Sequence, residues 1–422
     1  MLKSFDVVVI GAGITGLSSA YHIKRMKDEL RVAIVDKKTT SCQGNTARSS
    51  SAFRNLFSSE VNRKITQSTI EFYRHVQFEL GFDLGMHING YLFLGDNKFL
   101  GNPTFRRFVD QGMARYVDEE SLCKAGFRTR PSDDEIGLMN LSNIEGGLLG
   151  YECGILSPEK ICEFYVSELR KMGVEFFFGT EVFPPSLQPE TKLDYPGEPF
   201  IWQRTTLKSL ETSSGSFTAD TFVFCTDVWT DGLLEKMGID GHTRGKKRQV
   251  FQVTGPGVLS LLHNSFLDGE GLMPVTILPS HGIVLRPEPQ SKSIWVTIAE
   301  EYNRDFSVNE DTQPEPEFYE RGLFPVVVAY LPQFRDSRVT SMWAGHYAYN
   351  TIDRTHYVFE DKNIIVATGS SGSGIMKADA IGRVVASLYS GRKRTTLYGG
   401  YSIDTSALGV HGRRVKEEEM VI

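Results

Sequence analysis

Residues 5–16 have the sequence FDVVVIGAGITG, and LSSAYHIKRMK follows to residue 27. The apolar run from Phe5 to Ile10 has the length and composition of a buried parallel strand. Glycines come directly after it, and the next stretch is typical of a helix that reaches about Lys27. This part of the chain therefore predicts a strand, a glycine-rich turn and a helix, the beginning of a βαβ unit.

The three glycines of the G-x-G-x-x-G pattern each have a physical role. Gly11 allows the tight turn, Gly13 lets a ligand approach the main chain, and Gly16 lets the helix pack closely on the strand. The unpaired N–H groups at the N-terminus of the helix favour a bound phosphate. The pattern is therefore typical of a site for a phosphate-bearing ligand.

An acidic residue ends the second expected strand. This strand spans Arg31 to Val35, and Asp36 follows it, 20 residues after Gly16. A carboxylate at this spacing accepts hydrogen bonds from a ribose 2′-hydroxyl and repels a 2′-phosphate. The alternative, a glycine-rich surface turn, does not account for a strand, a helix and an acidic residue at the required positions. The sequence predicts an adenine dinucleotide site, but this motif does not separate NAD from FAD.

Five further segments decide between these cofactors. They are residues 44–50 (GNTARSS), 90–94 (GYLFL), 154–158 (GILSP), 222–229 (FVFCTDVW) and 364–374 (IIVATGSSGSG). In this order they resemble the D-amino-acid oxidase superfamily of FAD-dependent oxidoreductases. The branch that they resemble contains sarcosine oxidase, dimethylglycine dehydrogenase, glycine oxidase and dye-linked L-proline dehydrogenase. The resemblance implies FAD as the cofactor.

The resemblance also implies which residues contact FAD. Two positions depart from the family pattern: Thr226-Asp227 stands where Ala-Gly is preferred, and Ser373 stands where the usual histidine would be, so a histidine-linked flavin is not supported there. The implied contacts are Gly11, Gly13, Ile14, Thr15, Gly16, Asp36, Lys37, Asn45, Thr46, Ala47, Arg48, Ser49, Ser50, Val182, Thr226, Trp229, Gly345, Gly369, Ser371, Gly372, Ser373, Gly374 and Ile375.

The fold that the resemblance implies is α/β plus α+β, with a Rossmann-like FAD-binding domain and a second, antiparallel-sheet substrate domain. The FAD-binding domain is expected to be discontinuous. Its expected pieces are residues 1–85, 150–235 and 340–422, and those of the substrate domain are residues 86–149 and 236–339.

Two patterns support a second sheet without reference to any family. Residues Ile283 to Arg286 and Ile294 to Ile298 are apolar runs that predict paired antiparallel strands. Glu315 to Leu331 predicts a helix that closes this layer, and Pro325 indicates a break or a late start.

Composition limits the partners. The net charge of −6 comes from 46 basic and 52 acidic residues mixed along the chain, so the sequence has no basic cluster of the kind that binds nucleic acid. Five scattered cysteines fit a reducing compartment and give no metal site. No segment has the pattern of a signal peptide or a transmembrane helix. We expect a cytoplasmic protein, with peripheral contact at the inner face of the membrane left open, and by analogy a homodimer.

Residues that position an anionic substrate should lie near the flavin. Hydride transfer to flavin N5 needs mainly positioning and charge from the protein. Arg54 lies close to where sarcosine oxidases keep a carboxylate-binding arginine, and Arg286 lies on an expected strand. Lys377 follows the last glycine loop, near the family's substrate lysine. His346 and Tyr347 are candidates to accept the substrate proton, and the alternative is that they only wall a pocket. For each cation, the alternative is a structural ion pair.

These observations leave three functions open. The leading hypothesis is C–N oxidation of a secondary or N-methyl amino acid of the proline or sarcosine type. The second is an FAD-dependent dehydrogenase of sn-glycerol 3-phosphate or a 2-hydroxy acid, since residues 246–248 (KKR) could neutralise a phosphate. The third is a flavin-binding assembly factor without turnover. The electron acceptor, whether a quinone, a dye or oxygen, is not determined by the sequence.

Overall fold

The computed structural model describes residues 2–266, 271–299, 304–411, 413 and 415–420. The strands, in chain order, are β1 (Leu2–Ile10), β2 (Val32–Val35), β3 (Ala52–Phe53), β4 (Tyr91–Gly95), β5 (Ala114–Asp118), β6 (Gly146–Gly150), β7 (Gly154–Ile155), β8 (Glu175–Phe177), β9 (Gln188–Pro189), β10 (Thr205–Thr206), β11 (Ser209–Thr212), β12 (Gly215–Phe224), β13 (Arg244–Thr254), β14 (Val275–Ile277), β15 (Val284–Glu288), β16 (Ser293–Thr297), β17 (Arg338–Tyr349), β18 (Tyr357–Asp361), β19 (Ile364–Thr368), β20 (Arg394–Thr396) and β21 (Ser402–Asp404).

The α-helices, in the same order, are α1 (Ile14–Met26), α2 (Glu60–Arg74), α3 (Asn97–Leu100), α4 (Pro103–Asp110), α5 (Glu119–Lys124), α6 (Asp133–Met139), α7 (Pro158–Lys171), α8 (Thr230–Leu234), α9 (Pro256–Leu261), α10 (Phe324–Tyr330) and α11 (Ala378–Tyr389). None of the helices that the structure describes is both long enough and apolar enough to cross a membrane.

A mainly parallel sheet contains the nucleotide-binding motif. Its strand order is β18-β19-β12-β1-β2-β8, and β11 pairs with β12 at its side. Strand β1 is parallel to both of its neighbours, β12 and β2. The side chains of Val7, Val8 and Val9 are fully buried, because helices α1, α7 and α11 cover one face and a second apolar cluster covers the other. The predicted strand, turn and helix are therefore confirmed.

The second sheet is mainly antiparallel. Within the described ranges its strand order is β17-β13-β16-β15-β14-β4-β6-β5. The predicted strand pair is confirmed as β15 and β16, in which Val284 is opposite Thr297. Helices α9 and α10 pack on this sheet over a cluster that includes Leu285 and Val327. The two sheets together confirm the expected α/β plus α+β class.

Two boundaries differ from the sequence-based expectations. Strand β17 pairs with β13 from Arg244 to Thr254, so the expected domain boundary at residue 340 lies within a strand of the second sheet. The helix expected from residue 315 begins with a π-helical turn, Phe318–Leu323, and continues as α10. Pro325 lies at the start of α10 directly after this π-helical turn, so the helix continues through a residue that has no N–H to donate.

Helices α1 and α11 approach each other closely where Gly382 of α11 lies against Ser18 of α1. A Cβ at residue 382 would overlap the main-chain and side-chain atoms of Ser18. Gly137 of α6 is an exposed helical glycine with no neighbouring atom within 4 Å of a built Cβ. Both glycines are helical, but there is room for a methyl group at residue 137 and none at residue 382.

We predict that Gly382→Ala lowers the free energy of unfolding by about 1–3 kcal/mol, because the two helices must separate to admit the methyl group. Gly137→Ala should leave it unchanged or raise it by up to about 1 kcal/mol, since alanine is the better helix former. Urea unfolding of both variants tests this. Equal effects of the two substitutions would contradict the close helix contact.

Candidate active site

A large cavity of about 370 Å³ lies at the carboxyl ends of β1, β2 and β12 and extends to β17 of the second sheet. Most of the residues expected to contact FAD line it. Those that do are Gly11, Gly13, Ile14, Thr15, Asp36, Lys37, Asn45, Thr46, Arg48, Ser49, Val182, Thr226, Trp229, Gly345, Gly372, Gly374 and Ile375.

The N-terminus of α1 forms one wall of this cavity. Gly13 is its N-cap and has no side chain of its own to cap the helix. The N–H of Ile14 donates to Thr46 Oγ1 at 3.2 Å. A Cβ at residue 13 would lie 3.1 Å from the same oxygen, so a side chain would crowd the loop that faces the helix. This arrangement leaves a backbone surface that suits a phosphate group.

The carboxylate of Asp36 is held by main-chain donors. Its Oδ2 accepts from the N–H of Ala12 at 2.6 Å, and its Oδ1 accepts from the N–H of Lys38 at 2.8 Å. Each carboxylate oxygen has a further lone pair, so Asp36 can also accept from a hydroxyl in the cavity that it lines. The contact to a ribose hydroxyl stays a prediction.

Asn45 joins three parts of the chain at the cavity. Its Nδ2 donates to Asp227 Oδ2 at 2.7 Å. Its Oδ1 accepts from the main-chain N–H of His346 at 3.0 Å. Asn45 therefore fixes the small-residue loop against both the strand end at Asp227 and the second sheet.

Asp227 is a carboxylate in an unusual place. It lines the cavity, and its φ of +51° lies in the left-handed region, where glycine stands in the family pattern. Burial raises the pKa of Asp227 to about 6, against the opposing effect of the Asn45 hydrogen bond. The ion pairs of the described residues include none to Asp227. Its charge is therefore poorly compensated.

The last glycine loop packs against an aromatic ring of the second sheet. Gly372 has a φ of +83°, and a Cβ there would overlap the ring of Tyr347. The N–H of Ser371 donates to the carbonyl oxygen of Ala348 at 2.9 Å, and the N–H of Asn350 donates to Ser371 Oγ at 3.0 Å. This loop therefore connects β17 with the start of α11.

Several buried polar atoms that line the large cavity have no hydrogen-bond partner in the described residues. They are Trp229 Nε1, His346 Nδ1 and both ring nitrogens of His356. Burial lowers the pKa of His356 far below its ordinary value, so its ring is neutral. Unsatisfied buried groups are costly, and a polar ligand that spans the cavity would pair them. The residues present therefore fit the expected dinucleotide.

A small chamber of about 50 Å³ adjoins the large cavity. Tyr347 and Gly372 line both spaces, so they form the shared wall. The other described lining residues are Ser50, Ala52, Arg54, Phe57, Tyr91, Val284, Thr297, Ile298, Ala299, Arg354, Ser371, Ser373, Met376, Glu418 and Met420. The chamber is thus enclosed by the second sheet, the glycine loop and residues near 50 and 420.

Arg54 is the buried cation of this chamber. Its Nη1 donates to the carbonyl oxygen of Leu56, and its Nη2 donates to the carbonyl oxygen of Met420. The guanidinium lies 4.3 Å from the ring centroid of Phe57. Two carbonyl oxygens account for two of the five N–H groups of an arginine, and neither neutralises its charge.

The other two predicted cations, Arg286 and Lys377, are not among the described residues that line either space. Arg286 is buried, pairs with the carboxylate of Glu288 and lies 4.1 Å from the ring centroid of Trp295. It therefore matches the alternative, a structural ion pair. Lys377 Nζ donates to Ser373 Oγ at 2.7 Å and to Asn62 Oδ1 at 2.8 Å, and burial lowers its pKa to about 7. Lys377 therefore holds the glycine loop through its hydrogen bond to Ser373.

His346 lines the large cavity but presents a donor rather than an acceptor. The N–H of Asn309 lies 3.4 Å from its Nε2, and the hydroxyl of Thr312 lies 3.0 Å from the same atom. An Nε2 that accepts from Asn309 leaves the proton on Nδ1, which has no hydrogen-bond partner among the residues that the structure describes. Burial lowers the pKa of His346, so the ring is neutral. The expectation that His346 accepts the substrate proton is not favoured by this geometry.

Some expected FAD contacts lie behind the cavity wall instead. Gly16 packs against the carbonyl of Gly11, Ala47 packs on the main core, and Gly369 packs against Tyr357. Ser50, Ser371 and Ser373 line the small chamber. The reason is that the family motif covers residues that shape the loops as well as residues that face the ligand.

Sequence reasoning missed three residues of the site. His356 belongs to no motif, and Glu418 and Met420 reach the chamber from more than 350 positions away along the chain. No local pattern predicts such contacts. The sequence marks Asp227 only as a departure from the family pattern. Its raised pKa depends on burial, which the sequence does not specify.

The chain is similar to known proteins in both sequence and fold. The family model described as DAO, FAD dependent oxidoreductase, matches residues 6–388. The chain is 24% identical over 416 residues to the FAD-dependent oxidoreductase domain-containing protein 1 of Xenopus laevis, which covers 91% of this chain and 78% of that protein. It is 23% identical over 402 residues to the glycine oxidase of Bacillus licheniformis, and the match covers 93% of this chain and 94% of that protein. The crystal structure of L-proline dehydrogenase from P. horikoshii superimposes on this chain with a TM-score of 0.71 at 20% sequence identity. The superposition covers 93% of this chain and 95% of that chain.

We predict that Asp227→Asn stabilises the cofactor-free protein by about 2 kcal/mol at pH 7.5. The folded-state pKa of about 6 lies above the value of an unfolded aspartate, so charged Asp227 costs stability as the pH rises through the folded pKa. The gain should fall to less than half at pH 4.5, where the wild-type side chain is protonated.

Urea unfolding at both pH values measures this difference. Asparagine tolerates the left-handed backbone, so the substitution adds no strain. Exposed Asp220 on β12, the strand that precedes Asp227, provides the control, and Asp220→Asn should leave the free energy of unfolding nearly unchanged. A gain that is independent of pH would contradict the assignment.

Proposed function

The chain belongs to the DAO family of FAD-dependent oxidoreductases, and on that premise we propose that it oxidises the C–N bond of a small amino acid whose carboxylate binds Arg54. In such a reaction the substrate carbon loses a hydride and the nitrogen loses a proton, which gives an imine. The bound FAD supplies the two-electron acceptor. Within this class the sequence predicts a substrate of the proline or sarcosine type.

The observation that carries this proposal is the position of the Arg54 chamber. It shares Tyr347 and Gly372 with the cofactor cavity, so the two spaces meet at these residues and a substrate held at Arg54 would lie beside the cofactor. A buried guanidinium binds a carboxylate strongly because charge-assisted hydrogen bonds gain strength when water is excluded. The aromatic ring of Tyr347 and the apolar side chains of Val284 and Ile298 line the chamber.

The charges around the chamber favour a monocarboxylate over a phosphate. Arg354, its second arginine, is ion-paired with Glu417 at 3.6 Å, and the carboxylate of Glu418 lines the same space. Lys247, one of the cations considered for phosphate, is paired with Glu315 at 2.7 Å. A dianion would therefore meet one uncompensated cation and one carboxylate, which is a poor match.

The side chains of the site have supporting tasks in this proposal. Arg54 binds and orients the carboxylate, and neutral His346 offers its Nδ1–H to an acceptor in the large cavity. Lys377 holds Ser373 through a hydrogen bond of 2.7 Å and so fixes the glycine loop that separates the two spaces. The amine form of the substrate needs no protein base within the chamber to transfer a hydride.

Anaerobic titration of the FAD-loaded protein tests the proposal. Sarcosine, glycine, proline, sn-glycerol 3-phosphate and lactate are added in turn, and loss of flavin absorbance is recorded. We expect bleaching by an amino acid and none by the phosphate. Bleaching by glycerol 3-phosphate alone would overturn the proposal, and absence of bleaching by every compound would favour a role without turnover. Repeating the titration with oxygen and a quinone analogue identifies the acceptor.

We also predict that Arg54→Ala weakens substrate binding by roughly 30- to 1000-fold, as expected for the loss of a buried charge-assisted pair of about 2–4 kcal/mol. The change should appear in the substrate concentration that half-saturates flavin reduction. Exposed Arg338 on β17 gives the matched control, and Arg338→Ala should be unchanged. Unchanged half-saturation in Arg54→Ala at normal FAD content would contradict the role of Arg54.

A further inference from the structure

Residues 413 and 415–420, here called the closing segment, reach the small chamber at Glu418 and Met420. We propose that this segment forms the outer wall of the substrate chamber and that Met420 limits the size of the group that fits beside the carboxylate. The proposal rests on the proposed function, because it assumes that Arg54 binds a carboxylate. It adds a substrate preference: a small α-substituent is accepted and a ring or bulky side chain is excluded.

The first anchor of the closing segment is Arg413. Its Nε donates to Asp353 Oδ2 at 2.6 Å, and its Nη2 donates to Asp353 Oδ1 at 2.9 Å. The same Nη2 donates to the carbonyl oxygen of Thr355 at 2.9 Å. This is a bidentate pair with both side chains almost fully buried. Such a pair specifies geometry as well as contributing energy, so it directs the chain toward the chamber.

The second anchor is the buried carboxylate of Glu418 at the N-terminus of α2. Its Oε1 accepts from the N–H and Oγ of Ser58 at 2.6 and 2.7 Å, and its Oε2 accepts from the N–H of Ser59 at 3.1 Å. Asn62 Nδ2 donates to Oε2 at 3.1 Å. Burial would raise the pKa of Glu418, but the Ser58 and Ser59 donors hold it below its ordinary value. An ionised carboxylate at a helix N-terminus is favourable.

The two anchors place Met420 inside the chamber. Its main-chain carbonyl accepts from Arg54 Nη2. Its side chain is 8% exposed and packs in the apolar cluster that contains Leu56 and Tyr91. Met420 therefore has two effects on the same site: the carbonyl orients the guanidinium, and the thioether side chain fills space beside it.

The size of the chamber gives the substrate preference. The chamber volume of about 50 Å³ is about a third of the roughly 150 Å³ of an apolar cavity that binds one benzene ring. A carboxylate with one or two attached carbons fits this space, whereas a five-membered ring attached to a carboxylate does not. The ring would have to displace the side chain of Met420. We therefore expect glycine or N-methylglycine to be preferred over proline.

Binding of two unreactive acids to the FAD-loaded protein tests this inference. Acetate and cyclopentanecarboxylate carry the same charge and differ in size, and isothermal titration calorimetry gives their dissociation constants. Wild type should bind acetate at least 10-fold more tightly than the ring acid. In Met420→Ala this ratio should fall at least 10-fold, because the removed side chain leaves room for the ring.

Three further variants make the result specific. Met420→Leu keeps the volume and should keep the wild-type ratio. Met420→Val is the milder truncation if Met420→Ala does not fold, and its ratio should fall in the same direction. Glu419 of the same segment is exposed, and Glu419→Ala should behave as wild type.

The outcomes separate this inference from the proposed function. If acetate binds and Arg54→Ala abolishes its binding, but the ratio is the same in wild type, Met420→Ala and Met420→Val, then only the role of Met420 is overturned. If neither acid binds to any variant, the carboxylate site and the inference that rests on it are both overturned. A lower ratio in Met420→Ala and an unchanged ratio in Met420→Leu would establish the size limit.

Discussion

The structure depends on the close approach of α1 to the end of β1. The main chain of Gly16 lies against the carbonyl of Gly11, and a Cβ at residue 16 would overlap that carbonyl. A Cβ at Gly11 would in turn lie 2.5 Å from the carbonyl oxygen of Cys225, at the end of β12. Only glycine fits at both places. The N-terminus of α1 therefore lies beside the carboxyl ends of β1 and β12, where it borders the cavity. The phosphate-binding surface is thus a consequence of main-chain packing.

The same constraint determines how the other segments border the cavity. Strand β12 lies beside β1, so its end brings Asp227 to the cavity, and Asn45 then connects Asp227 with β17 of the second sheet. Two hydrogen bonds of one amide therefore hold three segments that are far apart in sequence. Because Tyr347 of β17 also packs against Gly372, the boundary between the large cavity and the small chamber is built from the second sheet and the loop that follows β19.

The sequence predicted those parts of the fold and site that are local in the chain. The βαβ start, the β15–β16 pair and the last glycine loop each occupy a short continuous stretch, and family membership and FAD followed from them. Arg286 shows a missed local signal, since residues two apart on a strand share a face and Glu288 is its partner. Met420 could not be predicted, because its contact to Arg54 joins positions 366 apart, and no periodicity records such a contact.

Two buried carboxylates of the site show why burial alone does not determine charge. Asp227 accepts from one amide group and a neighbouring N–H, and its pKa rises to about 6. Glu418 accepts from the N–H groups of Ser58, Ser59 and Met420, from one hydroxyl and from one amide, and its pKa falls. The number of donors around each carboxylate decides which effect is larger. Glu418 is therefore a permanent anchor of the chamber wall, whereas Asp227 changes its charge within the range of pH in which the protein can be studied.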